Sequence, residues 1–290
     1  MTPEQESPPA VARDVELAHH YAICEAALRE KDRDVWLAAL FAPAKRRKHL
    51  HALHAFAAEI DEIPGKVTQP LLGEMRLRWW QDALAAEDEG ASRAHPVLDA
   101  LVDTLVACRL ARHEIAAFLE AHAADLYDDP METTAALLDY CERTAAQPLR
   151  WSARALGAAD DAEALTEAGA ALGLLRILRR LPKGGAQFLP NDLLARHSAR
   201  REDAAAGAET PQLRSAIAAL VERASQSFER AKSAARGLDE ATRVALLPAA
   251  TVPLYLQAMR ARDFHPFGLP RDPSPWRRQW RLWRAARAGL

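Results

Sequence analysis

Apolar residues three and four positions apart recur along nearly the whole of this chain, and residues that favour strands are scarce. In "AKRRKHLHALHAFAAEIDEI" they are Leu50, Leu53, Ala57 and Ile60, a stripe down one side of a helix. Alanine is abundant, glycine supplies only 12 of the 290 residues and β-branched residues are few, so summed propensity leans to helix throughout. The fold class that follows is all-α. Nearly half the residues are hydrophobic, at 49%, and the formal net charge is −2, which describes a soluble globular chain able to bury a large core. With no internal repeat, low-complexity linker or break in composition, a single helical domain is the economical reading.

Proline, glycine and capping residues punctuate the pattern. A disordered lead is expected over 1–14, with helix from Val15 through "LAHHYAICEAALREKD". Asp34 reads as the N-cap of the short helix "VWLAALF", which stops at Pro43. The long helix after it is ended by Pro64-Gly65. In "LLGEMRLRWWQDALAAEDE" the residues Leu72, Met75, Trp79 and Ala83 share one side. "VLDALVDTLVACRL", "ARHEIAAFLEAHAADLYDD", "METTAALLDYCERTAAQPLRWSARALG" and "TPQLRSAIAALVERASQSFERAKSAARGL" each read as a helix. Pro248 and Pro253 imply a kink or break in the segment that follows. The helix beginning near Ala162 carries Arg176, Arg179 and Arg180 into its last turn, before Pro182 and Gly184-Gly185. Cations there are favoured by the helix dipole, and their stems can lie on apolar surface. That reading is local; a functional one needs the rest of the chain.

Cys24, Cys108 and Cys141 lie far apart, with neither CxxC nor Cys/His spacing, which argues against structural zinc or a disulfide framework and for a reducing compartment. No apolar run approaches the roughly 20 residues that span a bilayer, and the polar, acidic N-terminus is unlike a signal peptide. A cytoplasmic protein is expected, with peripheral attachment at the inner membrane left open. The tail, 271–290, differs from the domain expected over 15–270. "WRRQWRLWRAARAGL" sets Trp276, Trp280 and Trp283 on one helical face, while Arg277, Arg278, Arg281, Arg284 and Arg287 crowd the remainder. An aromatic stripe on a basic helix suits a membrane interface or a docking partner. The alternative is that the tryptophans pack on the parent domain and the arginines are merely solvated.

The order of segments resembles the squalene/phytoene synthase family, all-α isoprenoid synthases that join two prenyl diphosphates head to head. "HALHAFAAEIDEI" is similar to the family's Tyr-Ala-Leu-Tyr-Ala-Phe-Cys-Arg helix and first aspartate motif, and "MRLRWWQDAL" to its Arg-Leu-x-Trp-Trp segment. "HPVLDALVDTL" and "HAADL" resemble its middle, and "LDYCERTAAQPLRWSARALG" its Tyr-Cys helix. "GLLRILRRLPKGGAQFLPNDLL" resembles the stretch that reads Asn-Ile-Leu-Arg-Asp, then acidic residues, then Gly-Arg-x-Tyr-Leu-Pro. The likeness runs from about Ala18 to Arg262 and implies a helical bundle around a central cleft. It also implies a magnesium-dependent chemistry, in which aspartates four apart on facing helices hold metal ions against a departing diphosphate.

This sequence departs from that pattern where the chemistry is made. Asp61 and Glu62 hold the start of the first motif, but its second aspartate falls on Gly65. In the second motif the family's asparagine falls on Arg176 and its first aspartate on Arg180, while the next acidic position lies in a deletion around Pro182, Lys183 and Gly184. The family's arginine at the end of the first helix falls on Ala58, and two of its tyrosines fall on His51 and His54. Of the family's acidic cluster, Asp61, Glu62 and Asp125 remain. An arginine in place of a metal-ligating carboxylate repels a divalent ion by roughly several kcal/mol at an effective dielectric near 20. Two readings of the cations stay open. They pair with Asp61, Glu62 and Asp125 as a buried ion network, or Arg176, Arg180 and Lys183, with His51 and His54, bind a phosphorylated or prenyl ligand directly, without a metal.

The resemblance then implies a catalytically impaired relative, similar to the branch that serves as an assembly factor for respiratory complex I, with no cofactor. Its expected contacts are a protein partner in respiratory-complex assembly and an anionic membrane surface touched by the C-terminal helix. The rival is an active, magnesium-dependent squalene or phytoene synthase using Asp61, Glu62 and Asp125. The histidines 49, 51 and 54 lack a third ligand at metal spacing. The basic run "AKRRKHLH" lacks interleaved aromatics, so no nucleic acid is expected. Neither a nucleophile constellation nor a Gly-rich phosphate loop is present.

Overall fold

A computed structural model describes residues 10–85, 95–159, 162–265, 267 and 272–290. Every described regular element is helical, as the composition requires. The chain divides into two compact units, Met1–Leu126 and Tyr127–Leu290, a division that nothing in the composition marks.

The N-terminal unit comprises α1 (Ala10–Lys31), α2 (Arg33–Ala39), α3 (Ala44–Asp61), the single turn α4 (Ile63–Lys66), α5 (Pro70–Ala85), α6 (Pro96–Cys108) and α7 (Arg112–Ala123), closed by a 3-10 turn, Ala124–Leu126. The lead expected over 1–14 lies outside the described residues as far as residue 9, and helix already runs from Ala10. Cys24 and Leu28 of α1, Leu53, Phe56 and Ile60 of α3, Leu98 and Leu101 of α6 and Ile115, Phe118 and Leu119 of α7 form its buried core.

Three local readings are corrected here. The N-cap of α2 is Asp32, whose Oδ1 accepts from the Val35 amide at 3.1 Å, while Asp34 is buried one residue inside the helix. A cap must precede the first turn to reach its free amides, and Asp34 is two residues too late. Pro64 does not terminate α3, which ends at Asp61; it sits in the first turn of α4, where its missing N–H costs no hydrogen bond. On α5, Leu72, Met75 and Trp79 form the outward face, and the buried stripe is Gly73, Leu77, Trp80 and Leu84. Trp80 meets Phe56 edge-on at 5.1 Å, and Gly73 leaves room for Leu126.

The C-terminal unit comprises α8 (Thr134–Cys141), α9 (Gln147–Leu156), α10 (Glu163–Arg180), α11 (Asn191–Arg196), α12 (Arg201–Ala205), α13 (Pro211–Ala234), α14 (Glu240–Leu246), α15 (Val252–Arg260) and α16 (Pro275–Ala288). The helix read as continuous through "METTAALL…ALG" is two α-segments joined by a π-helical stretch, Glu142–Ala146. That stretch precedes Pro148, whose ring would otherwise press on the Thr144 carbonyl, and the widened turn relieves the clash. Against it lies α10, brought close by two glycines. A Cβ at Gly173 would stand 2.7 Å from Cys141 Sγ, and one at Gly169 would run into the Ala146 backbone. Such contacts are closer than real side chains allow. The prolines 248 and 253 break the late segment as expected, into α14, a 3-10 stretch Leu247–Thr251, and α15.

Candidate functional site

In the N-terminal unit the residual acidic positions cluster at the C-terminal end of α3 and just beyond α7. The helical repeat of α7 places His122 three residues before Asp125, on the same side. His122 Nδ1 lies 2.9 Å from Asp125 Oδ2, and its Nε2 lies 3.6 Å from Asp61 Oδ1. The side chains of His122 and Asp125 are 2% and 1% exposed and that of Asp61 is 28% exposed. One imidazole therefore stands between two carboxylates, its ring packed edge-on against Phe118 at 4.6 Å. His122 is absent from the expected site residues; its signal in "HAADL" is the i, i+3 spacing of an imidazole and a carboxylate.

Glu62 is engaged elsewhere. Lys31 Nζ lies 2.9 Å and Lys66 Nζ 2.7 Å from its Oε2. Partial burial pushes this carboxyl up, but the hydrogen bonds from Lys66 and Lys31 outweigh it and hold the group below the usual glutamate value. Glu62 and Asp125 are thus each hydrogen-bonded by side chains of their own unit, while Asp61 lies near His122 at 3.6 Å, beyond hydrogen-bond distance. A magnesium ion is held by several carboxylate oxygens at once, and the described residues assemble no group of three or more histidine, cysteine or acidic side chains that could hold a metal ion.

The histidines of α3 are interior groups. His49, His51 and His54 are all buried. Burial holds the His51 imidazole below its ordinary value, despite Glu25 at 3.8 Å. His49 lies 3.0 Å from Thr104 Oγ1 and 3.1 Å from the Tyr21 hydroxyl. Burial, aided by Lys48, pushes it down to about 4. Tyr21 donates to Asp103 at 2.6 Å, and burial pushes its phenol up.

In the C-terminal unit the cations of α10 take separate roles. Arg176 is half-buried and its charge acts on Cys141, whose thiol burial nevertheless pushes up to about 12. Arg179 points outward, paired with Asp272 at 3.0 Å and stacked over Tyr255 at 4.8 Å. The Arg180 guanidinium lies over Phe188 at 5.7 Å, and Lys183 is exposed. The segment after them is braced by Arg201, which donates to the Ala186 and Leu189 carbonyls at 2.8 Å each and to Asn191. A stretch that would need acidic side chains to hold metal instead carries guanidinium groups stacked on aromatic rings, the weakly hydrated, planar mode of packing that suits arginine.

The C-terminal helix docks by its polar-looking side. Leu282 and Ala285 are buried, Arg281 Nε donates to the Ala250 carbonyl at 3.0 Å, and its guanidinium lies 5.8 Å from the Phe228 ring. Arg277 reaches Gln257 and Arg278 the Tyr255 hydroxyl, each at 3.4 Å. Trp276, Trp280 and Trp283 point away, exposed at 72%, 49% and 39%.

The described residues contain no helix long and apolar enough to cross a membrane. The family model for squalene/phytoene synthase matches residues 28–284. Complex I assembly factor 6 of Bos taurus is 24% identical over 249 residues, covering 84% of this chain and 75% of that protein. Chloroplastic phytoene synthase 1 of Zea mays is 26% identical over 267 residues, covering 87% and 64%. A crystal structure of a dehydrosqualene synthase in complex with ligand superposes with a TM-score of 0.78 at 20% identity, covering 93% of this chain and 96% of that one. The fold is that of the isoprenoid synthases, and this chain belongs to the squalene/phytoene synthase family.

Proposed function

We propose that this chain is a non-catalytic member of its family and works by binding, as an assembly factor of the complex I type. The observation that carries the reading is the commitment of its acidic groups: His122 stands between Asp61 and Asp125, and Glu62 is held by Lys31 and Lys66. Departure of diphosphate requires that its charge be neutralised, and the family does this with carboxylate-held magnesium. Here Glu62 and Asp125 are engaged by neighbouring side chains, Asp61 faces the His122 ring, and the second acidic motif reads as Arg176 and Arg180. The likeness to the assembly factor 6 proteins supports a protein partner in respiratory-complex assembly as the thing bound.

The test is direct. The full chain is incubated with farnesyl or geranylgeranyl diphosphate and magnesium, and diphosphate release is followed. No release above a protein-free control is expected; sustained turnover refutes the reading and establishes the synthase that the likeness to phytoene synthases favours as the alternative. A second reading rests on Arg176, Arg180 and Lys183, which would take a phosphorylated or prenyl ligand without metal. It requires calorimetric binding of inorganic pyrophosphate in the presence of a chelator, abolished by Arg180→Glu.

A further inference from the structure

We propose that the outer face of α16 is a docking surface for anionic lipid bilayers, a reading independent of whether the chain catalyses anything. Helices with tryptophan at helical spacing ordinarily bury it, because an indole removes more apolar area from water than any other side chain. In α16 the reverse holds. The small buried side, Leu282 and Ala285, fastens the helix to the 3-10 stretch Leu247–Thr251, and Arg281 pins it to the Ala250 carbonyl. The three indoles are left in water, with Trp280 and Trp283 stacked at 5.0 Å and 17°.

What covers this face follows from its chemistry. Arg284 and Arg287 are exposed beside the indoles, Arg287 lies 4.2 Å over the Trp283 ring, and no acidic residue follows Asp272 in the sequence. Indole rings partition to the headgroup level, where an apolar body and a polar N–H are both satisfied, and guanidinium groups at the same level meet lipid phosphates. The helix is 14 residues long, about 21 Å at 1.5 Å per residue, too short to span a bilayer and suited to lying in its surface. A nucleic acid would use the cations but not three adjacent indoles facing one way, and a protein partner of ordinary surface would leave the unbroken positive charge unmatched.

The experiment is flotation of the full chain with vesicles of pure phosphatidylcholine and of phosphatidylcholine containing phosphatidylglycerol. The wild type is expected to float with the anionic vesicles, and salt should weaken that binding. The triple variant Trp276→Ala, Trp280→Ala, Trp283→Ala, whose changes lie on exposed positions, should lose at least about tenfold in partitioning with its helical circular dichroism unchanged. Arg284→Glu with Arg287→Glu should remove the preference for anionic over neutral vesicles. Failure of the folded wild type to float, or equal flotation by the triple variant, overturns the proposal, as does binding to RNA that proceeds equally without the indoles.

Discussion

Replacing His122 tests whether the imidazole holds the residual acidic pair together. Asp125 is 1% exposed and its Oδ2 lies 2.9 Å from His122 Nδ1, so the bond is made out of contact with solvent. A buried hydrogen bond to a charged group contributes roughly 1.5–3 kcal/mol, and deleting one partner also leaves a desolvated group less well satisfied. His122→Ala further removes the ring packed on Phe118, so the single variant confounds bond and cavity. A double-mutant cycle with Asp125→Ala separates them, because the cavity contribution appears on both sides and cancels. The coupling expected is about 2 kcal/mol. For a unit of this size, with a urea m-value near 2 kcal/mol/M, it corresponds to a midpoint difference of about 1 M. His122→Asn, whose side-chain amide can donate close to where Nδ1 stands, should recover more than half the loss. A coupling under about 0.5 kcal/mol, or an Asn variant no better than Ala, would refute the idea that this pair is a structural tie.

The remaining predictions concern packing and protonation. His49 is pushed down to about 4 from 6.5 in the folded chain, so protonation favours the unfolded state. Its contribution is whole above pH 6.5, fades as pH falls toward 4, and is worth on the order of 3 kcal/mol. Urea midpoints of wild type and His49→Gln should therefore converge across that window, and parallel profiles would contradict the assignment. Gly173→Ala puts a methyl 2.7 Å from Cys141 Sγ and should destabilise by about 1–3 kcal/mol through forced separation of α10 from the end of α8; an unchanged thermal midpoint would show that the helices yield freely. Asp32→Ala should cost about 1 kcal/mol by uncapping α2, whereas an equal loss from Asp34→Ala alone would restore the cap to the later residue.

The helical class, most helix boundaries and the family were readable because they depend on short-range periods, propensities and motif order. Side-chain direction was less readable where two apolar stripes share a helix. On α5 both the Leu72–Met75–Trp79 and the Leu77–Trp80–Leu84 sets have helical spacing, and only tertiary packing chooses between them. The tail posed the same choice, and there Leu282 and Ala285 are buried while the tryptophans face outward. Among the site residues, the departures at Gly65, Arg176 and Arg180 rest on comparison with the motif that the sequence resembles. The tie through His122 was not, since it joins the end of α3 to the end of α7 across sixty residues of sequence.

Under the proposed non-catalytic reading, the nature of the substitutions favours replacement of the acidic motifs over mere relaxation. Under relaxation alone, a metal-binding aspartate drifts to small or neutral residues, since solvent tolerates these at little cost. In the pattern that this chain resembles, asparagine to Arg176 adds one positive charge and aspartate to Arg180 adds two. Cations placed inside a fold are costly unless matched, so they persist only where something stabilises them. Stacking on Phe188 accounts for part of that at Arg180, and the tight turn after it, with Gly184 at φ +100°, supplies a local geometry that a longer, acidic loop would not need. In the N-terminal unit the same end is reached by the opposite means: acids are kept, and His122, Lys31 and Lys66 absorb them. Within each unit charged groups of the motif regions have contacts of their own, Arg180 over Phe188 in one and Glu62 and Asp125 with Lys31, Lys66 and His122 in the other, which is what the proposed binding role requires.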